Sequence, residues 1–579
     1  MEEQYLVEQV EGKQNTPTLK INSLYIHSKY RPIEESKNIA LEHFEKHYTF
    51  VVFGYGLGYI VEELLNLTTK EPIIIIDPLL DSGQLQIKEH HLNNERIYIW
   101  GKQYSKTRGT LLYLIERVSL GIKTMVKIVL TPYYDKLFTT TYREVLNDVR
   151  NYLVRTHVNI NTVNICAERW QKNLSLNLLN ILGDSTIASL EKVYNYPVVI
   201  ASGGPSLNQQ LPLLKKIKDK VIIIAAGTTI NSLLKFDIEP HYVVSIDGSE
   251  VNYNNFKNLE LGNTRLLYSP FNHWAIRPLF KKGHSFTSTI YDSIATYIYK
   301  TIDKNMPKLL GGGTVAHFAF SIASVISTGP IAFIGQDLAF TNNVTHADAN
   351  QGKKTLKEVQ ADNSTLFEIE GYYGDKVITD GGFLSMKQTF EEMARLYTAM
   401  NIKFYNCTEG GARINDFTQI TFQEFINKFV EEEIDIVEPL VETTLNFDLI
   451  TAQLQKELEL SDTLVEIAQD GIEILQSNKQ DTHFSQDILE ELDEIDTEIL
   501  NLIKEIQMDF LIQPILLKLD GAFLAKKEET PEEAYERSYN QTKLFYEEIL
   551  GIVDKSMENI KETLEILTNK EKLNEFYRK

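Results

Sequence analysis

Beginning at Val198 the chain reads VVIASGGPSL, a β-branched strand pattern that empties into Ser-Gly-Gly-Pro-Ser and then into the amphipathic segment LNQQLPLLKKI. Strand, tight turn and helix in that order constrain the fold strongly, because a parallel sheet is built from this unit and its crossovers. The turn also has a chemistry. Gly203 and Gly204 lack Cβ atoms, so a ligand can approach their N–H groups closely. The following helix offers unpaired N–H groups and a positive dipole end to an anion, with Ser202 and Ser206 as hydroxyl donors around Pro205. A tight turn that binds nothing has the same local sequence, so the surroundings decide.

The same pattern repeats. Between about 196 and 430, strand patterns at Pro197–Ala201, Val221–Ala225, Tyr242–Ile246, Arg265–Tyr268, Ile331–Ile334 and Lys403–Tyr405 are mostly separated by helical stretches, which predicts a mostly parallel sheet. Ligands sit at the carboxyl ends of such strands. Four polar or glycine-rich runs fall there: Ser202–Ser206, Ala226–Thr229 with Thr228, Asp247–Ser249, and Gly335–Asp337 with Gln336. A fifth, Gly311–Thr314, begins the helical run TVAHFAFSIASVI and sets Gly312, Gly313 and Thr314 at its start.

A first α/β unit precedes this one. TFVVFGYGLGY over Thr49–Tyr59, a helical IVEELLNL and the strand PIIIIDP place Gly54, Gly56 and Gly58 at a strand-to-helix turn, with Asp77 ending the next strand. That is the arrangement of Rossmann-type nucleotide domains, in which the acid bonds a ribose, although glycines there also serve close helix–strand packing. Strands at Ile97–Trp100 and Val126–Leu130 complete a domain ending near residue 155, and a helical connector follows over 156–195.

From Thr421 onward helical spacing dominates. Helices are expected over FQEFINKFVEEEIDIVEPLV, over Leu445–Gln476, over Asp487–Gln513 with a stop or kink at Pro514, and over Pro531–Leu573. The net charge of −22 resides here: residues 431–579 carry 37 acidic and 14 basic side chains, residues 1–430 carry 43 and 44. A neutral body with an acidic end excludes general nucleic-acid binding, which needs basic surface to displace counterions. The acidic polar N-terminal stretch is unlike a signal peptide, and no apolar run is long enough to insert in a membrane, so a soluble cytoplasmic protein is expected. Cys166 and Cys407 form neither a CxxC motif nor a zinc-like cluster.

With SGGPSL, AAGTTI, YVVSIDGS, GGGTVAH, FIGQDLAFTNNVTHA and CTEGGARI in this order, the sequence closely resembles the motility accessory factor family of flagellin glycosyltransferases over nearly its full length. The resemblance implies an N-terminal Rossmann-like domain (1–155), a central domain like that of bacterial sialyltransferases (196–430) and a C-terminal acidic helical domain (431–579) that holds flagellin. It implies transfer of a nonulosonic acid, pseudaminic, legionaminic or sialic-like, from its CMP-activated form to serine or threonine of flagellin, in support of flagellum assembly. Ser202–Ser206 then suits the donor phosphate. Asp247, with Ser249, stands where the sialyltransferase pattern has an Asn-Pro-Ser that contacts the nucleotide sugar, and Gly312, Gly313 and Thr314 offer N–H donors for the donor carboxylate. No cofactor is required, and no metal need be invoked without a convincing DxD motif. Tyr372 and Tyr373 in EGYYGDKV suit the departing phosphate oxygen. In the sialyltransferase pattern such a tyrosine precedes a glycine and then a histidine base; here Gly374 is followed by Asp375, which leaves the base open between Asp375 and His346. The same central-domain resemblance also fits a hydroxymethylpterin pyrophosphokinase using ATP and Mg²⁺ on a pterin, and a third reading is a non-enzymatic flagellin chaperone or assembly factor with a vestigial nucleotide site.

Overall fold

The computed structural model describes residues 5–45, 48–101, 111–119, 125–288, 292–348, 350, 352–361, 366–436, 446–479, 483–506, 509–523 and 529–578. The chain divides into two compact units, Met1–Asn164 and Ile165–Lys579.

In the first unit, four strands form a parallel sheet: β1 (Tyr48–Phe53), β2 (Ile73–Ile76), β3 (Ile97–Trp100) and β4 (Met125–Leu130), in the order β3-β2-β1-β4. The central strands β1 and β2 read as near-continuous apolar runs because the sheet is buried on both faces. A three-stranded antiparallel sheet formed from Val7–Glu11, Pro17–Ile21 and Leu24–Tyr25 was not visible as a sequence pattern; its strands are short and mostly half-exposed. The glycine turn after β1 leads into helix α1 (Tyr59–Leu67). Helix α2 (Thr139–Gly183) runs through the boundary between the units.

The second unit is built on nine parallel strands: β5 (Ser185–Thr186), β6 (Val198–Ala201), β7 (Ile222–Ala226), β8 (Tyr242–Ser245), β9 (Arg265–Tyr268), β10 (Gly283–Ser285), β11 (Ile331–Ile334), β12 (Phe404–Asn406) and β13 (Thr418–Gln419). Their spatial order is β13-β12-β11-β6-β7-β8-β9-β10-β5. Every expected strand is present; those the sequence did not reveal, β5, β10 and β13, are two- or three-residue strands toward the sheet's ends. Val198, Ile200, Ile222, Ile224, Val244, Ile331 and Phe333 pack into one core layer, while the alternate Val199, Ile223, Val243, Ala332 and Ile334 are also fully buried. Burying one such side chain contributes about 1.5–3 kcal/mol, so the strands are fixed by both layers. The chain leaves β6 toward β10 on one side and returns through β11 to β13 on the other. The order therefore reverses between β6 and β11, the crevice where doubly wound sheets take ligands.

Helices α3 (Leu207–Ile217), α4 (Thr229–Lys235) and α5 (Glu250–Phe256) follow β6, β7 and β8. Helices α6 (Asp292–Ile302) and α7 (Val315–Ile326) precede β11, with Thr314 capping α7 by accepting from Ala316 N–H.

The C-terminal part is helical, with corrections in detail. The helix at Phe422 ends at Phe429 rather than running on to Val441, because Ile434 and Ile436 leave the helical path to pack on the sheet core; residues 437–445 lie outside the described set. Pro514 does not end a helix. The break falls between α9 (Gln486–Glu505) and α10 (Asp509–Ala522), and the proline is taken into the second turn of α10, where the missing N–H costs a single hydrogen bond. Helix α8 (Phe447–Ser477) packs along α11 (Pro531–Thr568), and α12 (Lys570–Arg578) follows. This bundle docks on the same unit as the sheet. Gln171 on α2 donates to Ser556 Oγ at 2.8 Å, Tyr577 donates to the Leu179 carbonyl at 2.7 Å, and Tyr297 on α6 donates to the buried Glu457 at 3.1 Å. Among the described residues no helix is long and apolar enough to cross a membrane.

Candidate functional site

The turn after β6 lies in the switch-point crevice, and the chain itself fills part of it. Ser206 donates from its hydroxyl to Asp337 Oδ2 at 2.7 Å and from its amide to both carboxyl oxygens at 3.2 and 3.3 Å. Asp337 thus takes the place at the α3 N-terminus that an incoming anion would take. Gly204 N–H is spent on the Gly335 carbonyl at 2.8 Å, Ser202 N–H on the Ile334 carbonyl at 2.9 Å, and Pro205 has none. Ser202 donates its hydroxyl to Gln336 Oε1 at 2.6 Å. The expected cradle of amides is therefore largely satisfied within the protein. Gly204 is obligatory for a steric reason, since a Cβ there would overlap the Asp337 carboxyl and meet the Gly335 oxygen at 2.5 Å. Asp337 is 2% exposed, and burial raises its carboxyl to about 6 even though Ser206 stabilises the anion.

His346, Ala347 and Asn350 cover the turn. Ala347 N–H donates to the Gly203 carbonyl at 2.9 Å, and the space a side chain on Gly203 would need is bounded by Asn350 Nδ2, Thr229 Oγ1 and His346 Cδ2. Asn350 donates to Thr228 Oγ1 at 3.4 Å, tying this cover to the end of β7. Gly227, beside Thr228, lies against Val315, so the Gly312–Thr314 segment also reaches the carboxyl edge. His346 is half-buried, with Nδ1 2.9 Å from Thr345 Oγ1, and burial lowers its pKa, so it is neutral near pH 7.

Two expected residues take other roles. The Tyr372 phenol is 7% exposed and donates toward the carbonyls of Ile420 at 2.8 Å and Asn406 at 3.2 Å, so its one proton is committed to the scaffold rather than to a departing phosphate. Burial pushes that phenol well above its ordinary pKa. Asp375 is exposed in the turn of the antiparallel hairpin Leu366–Glu370 and Lys376–Asp380, its carboxyl folded back against Gly371. Tyr373, beside it, is exposed and donates to the Glu409 carbonyl at 3.2 Å.

Two strands from β6, and so about 10 Å away at ordinary spacing, β8 ends in Asp247–Ser249. Asp247 accepts from Ser249 N–H at 2.8 Å and from Ser249 Oγ at 3.0 Å, and Ser249 in turn caps α5. The exposed carboxylate keeps acceptor sites toward solvent. Beside it opens a cleft of about 710 Å³ bounded by Arg169, Lys172, Gly248, Tyr253, His273 and Trp274. His273 stacks on Tyr253 at 4.9 Å and 13°, and on Trp274 at 6.2 Å and 18°. Its Nε2–H donates to Glu250 at 3.1 Å while Nδ1 accepts from Ala275 N–H. Arg169 and Lys172 add positive charge, Lys172 sharing Glu562 at 3.2 Å.

Sequence reasoning missed what holds this cleft open. Asn173, Asn177 and Asn180 lie one turn apart along α2 and donate to the carbonyls of Gly248, Phe271, Pro270, Asn272 and Trp274 at 2.7–3.3 Å. The available signal was an asparagine at every third or fourth position on the apolar face of NLSLNLLN. Gly248 admits this approach, since a side chain there would strike Asn173. Gln210 is a second omission: it donates to the carbonyls of Cys407 and Thr408 and accepts from Gly335 N–H at 3.2 Å, joining α3 to β11 and β12.

The glycine turn of the first unit is filled by protein. Side chains at Gly54, Gly56 and Gly58 would strike Tyr134, His27 and Tyr55, respectively. Asp77, the expected ribose ligand, instead accepts from Tyr55 N–H at 2.7 Å, Gly56 N–H at 3.3 Å, Leu79 N–H at 2.8 Å and the Tyr134 hydroxyl at 2.8 Å. The packing role of these glycines accounts for the turn.

A family model described as 6-hydroxymethylpterin diphosphokinase MptE-like matches residues 172–343, which contain β6 to β11 and most of the cleft. Among solved structures, the chain is similar to a Maf glycosyltransferase from Magnetospirillum magneticum AMB-1, with a TM-score of 0.50 and 14% identity over 99% of this chain and 92% of that one. That likeness extends the shared fold over both units and the helical C-terminal part. No curated protein matches the sequence.

Proposed function

We propose that this protein is a glycosyltransferase that moves a nonulosonic acid from its CMP-activated form to serine or threonine hydroxyls of flagellin. The observation that carries the reading is the aromatic cleft, lined by Arg169, Lys172 and Glu250, at the carboxyl edge of the sheet beside Asp247–Ser249, within a chain that shares its fold from end to end with a protein described as a glycosyltransferase. Such a donor presents a flat pyrimidine, a ribose, a phosphate and a sugar carboxylate. Tyr253, at the end of a stack that continues through His273 and Trp274 to Phe576, offers a flat face for the ring. Arg169 suits a bidentate anion, phosphate or carboxylate, and Lys172 adds charge beside it. Asp247 accepts from a ribose or sugar hydroxyl.

Loss of CMP from the donor passes through an oxocarbenium-like state, so the site must stabilise the leaving phosphate and take the acceptor's proton. With Tyr372 committed elsewhere, the leaving phosphate falls to the donors of Gly312–Thr314, beside Gly227, while Arg169 and Lys172 hold the nucleotide end. His346, neutral and held over Gly203, is the base in preference to the exposed Asp375. Asp337 shapes the turn through Ser206 and acts as a positioning residue. The acidic helical region, docked on the same unit, is the surface for the flagellin acceptor.

The family model over residues 172–343 supports a second reading, a diphosphokinase acting on a pterin with ATP. Calorimetry separates the two. CMP binding that is lost in Arg169→Ala supports the first; ATP–Mg²⁺ binding without CMP binding overturns it. Coexpression with flagellin and a CMP-nonulosonate pathway should raise the intact mass of flagellin by one or more sugar residues. Flagellin captured without mass gain or CMP binding would instead mark a chaperone.

A further inference from the structure

Outside the site just described, the first unit brings together three metal-ligating side chains that neither the sequence reading nor the proposed function uses. Glu62 lies in the first turn of α1, and His90 and His91 belong to the short helix Glu89–Leu92. His90 Nε2 is 2.8 Å and His91 Nε2 is 3.0 Å from the same oxygen, Glu62 Oε2. Neighbouring residues of a helix point about 100° apart, yet these two imidazoles converge, their ring centroids 4.3 Å apart. The two ring nitrogens and the carboxylate oxygen all lie within 4.8 Å of one another.

We propose that Glu62, His90 and His91 form a binding site for one divalent transition-metal ion of the zinc class, with at least one coordination position open to solvent. Zinc bonds to nitrogen and oxygen of about 2.0–2.1 Å put tetrahedral ligands roughly 3.3 Å apart, so the donor atoms need shift only by tenths of an ångström to a little over one. The donor set, two imidazoles and one carboxylate, suits zinc, cobalt(II) or nickel(II) and is poor for magnesium or calcium, which require oxygen-rich shells.

Support around the ligands matches what such an ion needs. His91 is fully buried, and its Nδ1 lies 2.9 Å from Tyr55 Oη, which also accepts the Lys88 N–H at 3.0 Å. Tyr55 Oη has a second lone pair for an Nδ1–H, the tautomer that leaves Nε2 to bind metal. His90 is exposed and Glu62 half-exposed, which gives the ion an entry path and a water ligand. Bound metal would tie α1 to the segment after β2 and fix Tyr55 against Gly58, stiffening the glycine turn. The Lys88 ammonium, in the residue just before the Glu89–Leu92 helix, would oppose a cation at His91, so moderate affinity is expected.

Zinc chloride is titrated by calorimetry into the full-length chain stripped with chelator, and cobalt(II) is followed by its visible absorption. One ion per chain is expected. His90→Ala, at an exposed position, and Glu62→Gln should each weaken binding about tenfold or more, and Tyr55→Phe should weaken it by a comparable factor as an outer partner. Circular dichroism confirms that each variant is folded. Absence of zinc binding at millimolar metal, or affinity unchanged in both His90→Ala and Glu62→Gln, overturns the proposal.

Discussion

Asp337→Asn tests whether an internal carboxyl occupies the α3 N-terminus at the switch point. In the folded chain burial raises the Asp337 carboxyl to about 6, against an ordinary 3.8. A group that binds its proton more tightly when folded adds stability that is fully present below the unfolded value and is lost as pH rises through the folded one. The gap corresponds to about 3 kcal/mol in full. Between pH 7.5 and pH 5.0 the wild-type chain should gain roughly 1 to 2 kcal/mol over the asparagine variant, which does not titrate. Loss of a charge-assisted acceptor for Ser206 adds an offset that does not change over this range. Urea unfolding of both proteins at the two pH values isolates the effect, because every other titrating group is common to them. Trp100→Phe in both backgrounds leaves Trp170 and Trp274, each in the second unit, as the fluorescent reporters. A stability difference independent of pH, or one that grows as pH rises, refutes the assignment of a strained buried carboxyl.

Gly204→Ala should destabilise the second unit by about 1–3 kcal/mol, because its methyl group overlaps Asp337 and crowds the Gly335 carbonyl; a midpoint equal to wild type in the same unfolding assay contradicts the closed crevice. His346→Gln should lower kcat for sugar transfer about 100-fold or more while CMP affinity stays within twofold, and the wild-type rate should rise with pH to a plateau set by an inflection below the ordinary histidine value; an unchanged rate removes His346 as the base. Tyr253→Ala should weaken CMP binding roughly tenfold, as expected for losing the stacking face at the end of the aromatic stack, and equal heats for both proteins would move the nucleotide out of the cleft. Tyr372→Phe should leave kcat within threefold but cost about 1 kcal/mol of stability through the Ile420 carbonyl, which loses the phenol donor; a large fall in kcat would restore Tyr372 to the chemistry.

The central strands of both parallel sheets were legible because each is a run of β-branched or aliphatic residues buried on both faces, whereas the two- and three-residue strands toward the ends of the larger sheet are too short to carry a pattern. What each turn does was less legible. VVIASGGPSL fixes the backbone shape locally, but whether its amides meet a ligand depends on Asp337, 131 residues from Ser206. GYGLG likewise reads as a nucleotide turn until His27 and Tyr134 arrive from either side in sequence to fill it. Helix ends were misjudged where tertiary packing outweighed periodicity: Ile434 and Ile436 join the sheet core instead of extending a helix, and Pro514 is absorbed by α10. The asparagines of α2 sit at positions that a search for apolar spacing passes over, yet they set the loop from Pro270 to Trp274 against the cleft.

The Asp337–Ser206 contact also reorders the electrostatics of the whole edge. A helix N-terminus carries about half a positive charge, and a carboxylate placed on it cancels most of that field within the first turn. An anionic donor arriving at the switch point meets a neutralised turn, whereas two strands farther along it meets Arg169 and Lys172 beside an aromatic wall. The favourable position for the nucleotide therefore shifts from β6 toward β8 and β9. The backbone of Gly203 and the cover formed by His346 and Asn350 are left at the opposite end of the same edge, linked to it through Thr228. In a CMP-activated donor the phosphate oxygen is bonded to the reacting carbon, so with the cytidine in the cleft the phosphate and the reacting carbon together reach back toward Gly203 and His346. On this geometry the conspicuous glycine turn positions the histidine, and the less conspicuous loop after β9, braced by α2, holds the nucleotide.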